Sequence, residues 1–339
     1  MFKNKKNKFS FKIFILFIVF QIFFTTLSAT LLVFYGPFNN LKRLVVGTAM
    51  SSYSHKYIAT LFLSEKEIET IIHPKTELAK VIDVQAVAEE NTQQQMSDVV
   101  VTKKADDSVE RFQIDGGKYK GYVIIVNDPT RIKVGFSKYI GKVGQTTSEI
   151  AKDNGAIAAI NGGGFIDTAS DGKLWVGTGQ FPTGLVMSSG KIIYNDSSSE
   201  TKQSIMGFTK EGKLIVGTHT TTELQKLGIT EALSFGPGII VNGRPQVQGD
   251  GGQGITARTA IGQKKTGEII LLVLDGRRLN MPGATLKDIE NVMVKYDAYN
   301  AINLDGGSSS TMYYDGNLIN NPCNPFGERS IATAVYVSP

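Results

Sequence analysis

The alternation of apolar and polar positions changes character three times along this chain. From Ile13 to Tyr35 there is no charged residue. A run of this length can cross about 30 Å of hydrocarbon as one helix. Between residues 45 and 75, Tyr57, Leu61, Phe62, Ile68, Ile71 and Ile72 recur at near-helical spacing until Pro74 ends the pattern, which predicts an interrupted juxtamembrane helix. Residues 83–110 are polar and low in aromatics, with Gln93-Gln94-Gln95 in the middle, and read as a flexible tether. Beyond them the apolar runs become short and end in glycine or turn residues.

Those short runs predict strands at Gly121–Val126, Arg131–Gly135, Ala156–Ile160 and Ile331–Val337. Leu185–Met187 with Lys191–Tyr194, and Ile205–Phe208 with Leu214–Val216, have hairpin spacing, and Asn242-Gly243 after Ile239–Val241 is a hairpin turn signal. Two helices are expected. One covers Thr147–Lys152, with Thr146 or Thr147 as N-cap. The other begins at Thr285, with Asp288 in its first turn and Leu286, Ile289, Val292, Met293 and Tyr296 on its apolar face. The run before Asp275 is apolar at every position and reads as a strand buried on both faces. Together these predict a mixed α/β (α+β) fold: a central mixed β-sheet with flanking helices and Gly-rich loops, preceded by a transmembrane helix and stalk.

Strand, helix and strand in succession predict that the strand before Asp275 and Ala301–Leu304 run parallel, with both carboxylates at one sheet edge. Were the strands neighbours, Asp275 and Asp305 would lie roughly 5–10 Å apart, the separation used by glycosidases. The chain also echoes itself. A helix, a short strand and Asn161-Gly-Gly-Gly resemble a helix, a short strand and Asp305-Gly-Gly-Ser, so both loops are expected to face one site.

Charge adds an orientation. Lys3, Lys5, Lys6, Lys8 and Lys12 account for the whole net charge of +5; without them, 31 basic residues face 31 acidic ones. The remainder gives no reason to expect nucleic acid. The five lysines ahead of the apolar run keep the N-terminus inside, so the chain is expected in the cell membrane as a single pass with its catalytic part outside. The apolar core is too long for a signal peptide's, which favours an uncleaved anchor. The expected domains are 1–36 (basic tail and anchor), 37–108 (juxtamembrane helix and tether) and 109–339 (catalytic domain). One cysteine, Cys323, permits no intramolecular disulfide, and in an exported chain suggests a bacterium.

The candidate chemistry gathers at strand ends. Asp305-Gly306-Gly307-Ser308 joins a carboxylate to glycines and hydroxyls, a pattern suited to a phosphate or a sugar. Arg258 precedes an apolar run and suits bidentate contact with phosphate. Arg277 follows Asp275, and Glu328-Arg329 precede the last strand. Trp175 and Phe181 sit in a Gly-rich loop, free to stack on a sugar or simply to pack. His55 and His73 read as packing or surface residues of the stalk. No zinc-ligand cluster, nucleophile–histidine pair, Walker motif or dinucleotide motif occurs.

Asn161-Gly-Gly-Gly-Phe165, Arg258-Thr-Ala-Ile-Gly262, Asp275-Gly-Arg277, Asn303-Leu-Asp-Gly-Gly-Ser-Ser309 and Glu328-Arg329 resemble, in this order, the motifs of the phosphodiester glycosidases. The likeness covers about residues 109–339, with an additional glycine, Gly164, in the first motif. It implies cleavage of a sugar-1-phosphodiester at its anomeric C–O bond, on a phosphate-linked glycan or wall polymer, without an organic cofactor. A divalent cation is left open, with no ligand set assigned. The implied site comprises Asp305, Asp275 and Glu328 sharing the carboxylate duties. Arg258 and the amides of Gly306 and Gly307 would hold phosphate, and Asn161, Gly163, Ser308, Arg277 and Arg329 would complete the binding surface. A glycan-binding module that kept the fold, or a transferase acting on exopolysaccharide or teichoic acid, are the alternatives.

Overall fold

The apolar run before Asp275 becomes the strand Ile269–Leu274, every side chain of which is buried. Successive side chains leave a strand on opposite faces, so such a run needs cover on both. Ile269, Leu271 and Val273 enter the largest core cluster, while Ile270, Leu272 and Leu274 pack on the other face beneath the helix Leu286–Lys295. That helix begins with a reciprocal cap. The Asp288 N–H donates to the Thr285 hydroxyl at 3.1 Å, and the Thr285 N–H donates to the Asp288 carboxylate at 2.7 Å. Thr146 and Glu149 cap the helix Thr147–Asp153 in the same way.

The computed structural model describes residues 11–50, 56–72, 92–101, 107–166, 178–324 and 326–339; His55, His73 and Trp175 lie outside them. Three sheets carry the fold. The seven-stranded one runs Val109–Asp115, Lys120–Val126, Ile269–Leu274, Arg258–Lys264, Ala298–Leu304, Gly238–Val241, Arg244–Pro245. A five-stranded sheet runs Asn317–Leu318, Met312–Tyr314, Ala158–Asn161, Thr333–Val337, Ile132–Phe136, and another runs Lys191–Asn195, Leu185–Ser188, Ile229–Ser234, Gln203–Thr209, Leu214–His219. The largest cluster draws on all three, with Ile124 and Leu271 from the first, Ile160 and Val335 from the second, Val186 and Met206 from the third. The expected hairpins form, with Ser189-Gly190 and Asn242-Gly243 in left-handed backbone at their tips.

The neighbouring parallel pair is a correction. Ile269–Leu274 and Ala298–Leu304 run the same way, but Arg258–Lys264 lies between them and is antiparallel to both. A tight turn at Lys264–Glu268 makes Arg258–Lys264 the hairpin partner of Ile269–Leu274, and that hairpin takes the middle slot. Asp275 and Asp305 still end their strands at the same edge, two strand spacings or about 10 Å apart.

The apolar helix Phe11–Tyr35 is 25 residues long, long and apolar enough by length and composition to cross a membrane. Its last turn is packed. Phe34 stacks on Phe62 with ring centroids 4.7 Å apart, and the Tyr35 hydroxyl donates to the Phe62 carbonyl at 2.7 Å. The expected interrupted helix is three short ones, Asn39–Met50, Tyr57–Thr60 and Glu65–Ile72, sharing a small apolar cluster with Phe34. Part of the expected tether is docked on the domain. Residues 92–98 are helical, Gln95 pairs through its side-chain amide with both backbone groups of Val216, and the Tyr299 hydroxyl donates to Asp98 at 2.6 Å.

Candidate active site

The loops that follow Ala158–Asn161 and Ala298–Leu304 meet. Asn161 is buried at the end of its strand, and its Nδ2 donates to the backbone carbonyl of Asp305 at 2.6 Å. Its Oδ1 accepts from the Thr259 hydroxyl at 2.7 Å and the Thr311 N–H at 3.1 Å. The Asp305 N–H returns a bond to the Gly162 carbonyl at 3.2 Å. The chain's two similar strand ends therefore build one structure, as the internal echo suggested, with Asn161 as its frame. Gly163 also belongs to that frame: its N–H donates to the Thr333 hydroxyl, and a Cβ there would stand 2.9 Å from the Ser234 carbonyl oxygen.

Beside this junction opens a cavity of about 360 Å³. Asp305 lines it together with Arg258, Arg277 and Arg329, Gly306, Gly307 and Ser308, Asn303, and the rings of Phe165 and Phe235. Burial pushes the Asp305 carboxyl above its ordinary range, while the Ser309 hydroxyl and then the Arg329 and Arg277 charges pull it back. The Ser309 hydroxyl lies near the carboxylate yet outside strict hydrogen-bond geometry. Burial brings Arg258 down to about 10, and the neighbouring Arg277 adds to the effect. Burial also lowers Arg277, against the opposing pull of Cys323 and Asp305. Three guanidinium groups around one carboxylate make this cavity a site for an anion.

The arginines differ in their freedom to bind one. Arg258 is largely engaged by the protein: four hydrogen bonds run from it to the carbonyls of Ala284, Gln253 and Gly254 and to the Gln253 side chain, and it shapes the cavity wall. Arg277 donates from Nε to the Thr256 hydroxyl at 2.8 Å, and its guanidinium lies over Gly307, where a Cβ would be 2.5 Å from Nη2. Gly307 has φ +62°, so glycine is required there twice over. Arg329 lies with its guanidinium 4.7 Å from the Phe165 ring centroid and Nη1 3.4 Å from the Ser308 hydroxyl.

Four of the expected assignments meet a different local geometry. The Gly306 N–H donates to the Asp305 carboxylate and the Gly307 N–H to the Ala257 carbonyl, so neither amide is available to hold phosphate. Asp275 does not line the cavity. Its buried carboxylate accepts from Asn320 Nδ2 at 2.8 Å and from the Asn321 N–H, anchoring the loop that leads to Arg329. Burial raises its pKa, and those donors oppose the rise. Glu328 turns away as well, accepting from the Ser148 N–H at 3.0 Å in the first turn of Thr147–Asp153. Arg258, expected to hold phosphate, lines the cavity with most of its N–H groups bonded to the cavity wall. Cys323 is partly buried, and burial raises its thiol pKa.

Several cavity residues escaped the sequence reading. Asn303 lay within a recognised motif but was not assigned; its Nδ2 donates to the Gly236 carbonyl at 2.9 Å, leaving a buried Oδ1 without a partner. Gly164, the additional glycine, fits between Thr183 and Phe235, where a Cβ would be 2.8 Å from the Thr183 hydroxyl oxygen. Met50 and Lys56 reach the cavity from the juxtamembrane segment, and nothing in their local pattern signals it. Among the described residues, no group of three or more His, Cys, Asp or Glu side chains could hold a metal.

Comparisons with known proteins show the family. The bovine N-acetylglucosamine-1-phosphodiester alpha-N-acetylglucosaminidase is 41% identical over 68 residues, 20% of this chain and 13% of the relative. Its mouse counterpart is 27% identical over 195 residues, 52% of this chain and 35% of the relative. An uncharacterized SPbeta prophage-derived protein of Bacillus subtilis is 26% identical over 225 residues, 62% of this chain and 31% of that protein. The chain thus spans about a third or less of the length of these curated relatives. In fold it matches the zebrafish enzyme's catalytic domain, solved in a form auto-inhibited by its pro-peptide, with a TM-score of 0.57 and 23% identity over 71% of this chain and 86% of that one. The phosphodiester glycosidase family model matches residues 154–338. That match takes in Asn161, Arg258, Arg277, Asp305 and Arg329 and more than half of the 339 residues, and the chain belongs to the phosphodiester glycosidase family.

Proposed function

We propose that this protein is a hydrolase, anchored in the cell membrane with its catalytic domain outside, that cleaves a sugar-1-phosphodiester between the anomeric carbon and the phosphate oxygen. The sugar is released and a phosphomonoester remains. The observation that carries this reading is the convergence of Arg277, Arg329 and Asp305 on one cavity whose wall Arg258 shapes. The relatives' names point to an N-acetylglucosamine-like sugar, and a phosphate-linked surface glycan or exopolysaccharide is the natural source of such a bond.

The chemistry follows from the groups present. A departing phosphate is a weak base and needs little protonation, so the site needs no second carboxyl as a strong acid. Arg277 and Arg329 hold the diester anion and stabilise the charge it gains on leaving. Among the described lining residues Asp305 is the only carboxylate, and it attacks the anomeric carbon or activates the water that does. Asn303 Oδ1, oriented by the bond that Nδ2 donates to the Gly236 carbonyl, accepts a sugar hydroxyl or amide N–H, and Phe165 and Phe235 flank the ring. Asp275 and Glu328 act by positioning the loops on either side of the 320–329 segment.

The anchor reading is supported by the length of the apolar helix Phe11–Tyr35, 25 residues against the apolar core of about 7–15 residues in a signal peptide, and its last turn packs into the juxtamembrane cluster through Phe34 and Tyr35. On that reading residues 1–36 are the tail and anchor, 37–108 the juxtamembrane part and 109–339 the catalytic domain. Incubating the purified protein with methyl N-acetylglucosaminyl-1-phosphate, and measuring free sugar and methyl phosphate, tests the activity. Asp305→Asn should abolish both products; products from the variant at the parent's rate would refute the assignment.

A further inference from the structure

Met50 belongs to two places at once. It lines the cavity that holds Asp305 and the arginines, and it packs on the cluster that contains Phe34, in the last turn of the apolar helix. A single small cluster of side chains therefore separates the cavity from the end of that helix. The junction is held on both sides. The Ile255 N–H donates to the Thr48 hydroxyl at 3.0 Å, tying the helix Asn39–Met50 to the loop that carries the cavity residues Gln253 and Thr256. Lys56, from the same juxtamembrane segment, adds a fourth cation to the lining.

The loops that carry Arg277 and Arg329 give an independent observation. Leu279 lies two residues beyond Arg277 and is fully exposed; Phe326 lies three before Arg329 and is 94% exposed. Their two loops are tied together, for Arg278 Nη2 lies 3.4 Å from the carbonyls of Asn321 and Pro322, and Asp275 accepts from Asn320 and Asn321. Large apolar side chains held out on fastened loops are unfavourable in water and favourable at an acyl-chain interface.

We infer that the substrate is a glycolipid: a sugar joined through a phosphodiester to a lipid of the same membrane that holds the apolar helix. This rests on the glycosidase and anchor readings above. The sugar sits towards Asp305 and Asn303, the phosphate among the arginines and Lys56, and the lipid leaves past Met50 towards the bilayer. In the reaction the bond from the anomeric carbon to the phosphate oxygen breaks. Water supplies a hydroxyl to the carbon and a proton to the phosphate, the sugar departs, and the lipid phosphomonoester stays in the membrane.

The test uses the full-length protein in phosphatidylcholine vesicles. It compares hexadecyl N-acetylglucosaminyl-1-phosphate embedded in those vesicles with the soluble methyl ester. The expected result is a kcat/KM for the hexadecyl ester at least about tenfold higher, from apolar contacts the methyl ester cannot make. That ratio should fall towards one in Met50→Asp and in the double variant Leu279→Ser, Phe326→Ser. Lys56→Glu should lower use of the hexadecyl ester about tenfold or more, with Lys56→Arg restoring most of it. Should the variants fail to fold, the ratio measured for the parent decides. Equal use of the two esters, or a ratio the folded variants leave unmoved, overturns the inference while the glycosidase reading stands. Hydrolysis of neither ester removes the glycosidase reading, and this inference with it.

Discussion

Asn161 Nδ2 donates to the backbone carbonyl of Asp305 at 2.6 Å, across 144 residues of sequence. The bond joins the end of one sheet to the end of another. With the Thr259 hydroxyl and the Thr311 N–H on its Oδ1, the Asn161 amide holds three further segments of chain at one point. The cavity carboxylate is thus aimed by a residue that is not part of the cavity lining.

Asn161→Ala removes one donor and one shared acceptor from a buried place, leaving the Thr259 hydroxyl and the Thr311 N–H unpaired. Stability should fall by about 2–4 kcal/mol, since unsatisfied buried groups cost about 1–3 kcal/mol each. The rate should fall further than binding, because Asp305 loses its alignment. Thermal unfolding and a comparison of kcat with KM on a sugar-1-phosphodiester check this. A variant with parental stability would mean the Asn161 network carries little energy.

Asp305→Asn should cost at least a thousandfold in kcat, as expected for loss of a nucleophile or base. It should also change the pH dependence of stability. Burial raises the folded pKa of Asp305 above its unfolded value, so ionising it in the folded state costs free energy. That cost is absent below the unfolded value of about 3.9 and fully developed above the raised folded value. The variant should therefore melt above the parent at neutral pH, with the advantage vanishing as pH falls towards 4. A constant difference across that range would contradict the raised pKa.

The sequence located the strand ends but not which way their side chains turn. Asp275 and Asp305 both follow apolar strands, and both were legible as sheet-edge carboxylates. The intervening strand Arg258–Lys264 and the donors Asn320 and Asn321 draw Asp275 aside, and these are long-range relations that a local pattern does not carry. Glu328 and Arg329 are adjacent yet face opposite ways, one to the Ser148 N–H and the other to Phe165. The echo between Asn161 and Asp305 was legible because it lies within short runs of residues. Met50 and Lys56 were not, since their place depends on how one helix docks.

From this follows a contrast among the three carboxylates. Asp275→Asn and Glu328→Gln should keep kcat within about tenfold of the parent, while Asp305→Asn does not. Glu328→Gln weakens a charge at a helix N-terminus and should cost about 0.5–1 kcal/mol. Asp275→Asn sets an amide N–H against the Asn321 N–H or loses a donor, at about 1–3 kcal/mol. Parallel activity assays and melting curves decide. Loss of turnover in Glu328→Gln as deep as in Asp305→Asn would place Glu328 in the reaction after all.

Arg329 offers a test of how the anion is held. Its guanidinium lies over the Phe165 ring and beside the Ser308 hydroxyl, a geometry that a planar fork satisfies and an ammonium does not. Arg329→Lys should raise KM about tenfold despite the retained charge, and Arg329→Ala should raise it further. If lysine restored KM fully, charge alone would be at work and the stacked geometry would have no part in binding.

The docked segment 92–101 gives the last prediction. Leu214–His219 is an edge strand, and edge strands leave backbone groups unpaired. Gln95 covers one position by donating from Nε2 to the Val216 carbonyl at 3.0 Å and accepting from its N–H at 2.8 Å. Val99 is fully buried, and the Val100 N–H donates to the Lys265 carbonyl at 3.0 Å. A chain beginning at residue 92 should therefore be more stable than one beginning at residue 107. The difference of about 3 kcal/mol corresponds to roughly 6–12 °C in melting temperature for a domain of this size. Gln95→Ala alone should give about a third to a half of that difference, because it uncovers the Val216 pair without removing Val99. Both chains should have the same kcat, since no residue of 92–101 lines the cavity. Melting the two side by side checks it: equal temperatures would mean that the segment rests on the domain without stabilising it, and that residues 92–101 behave as tether.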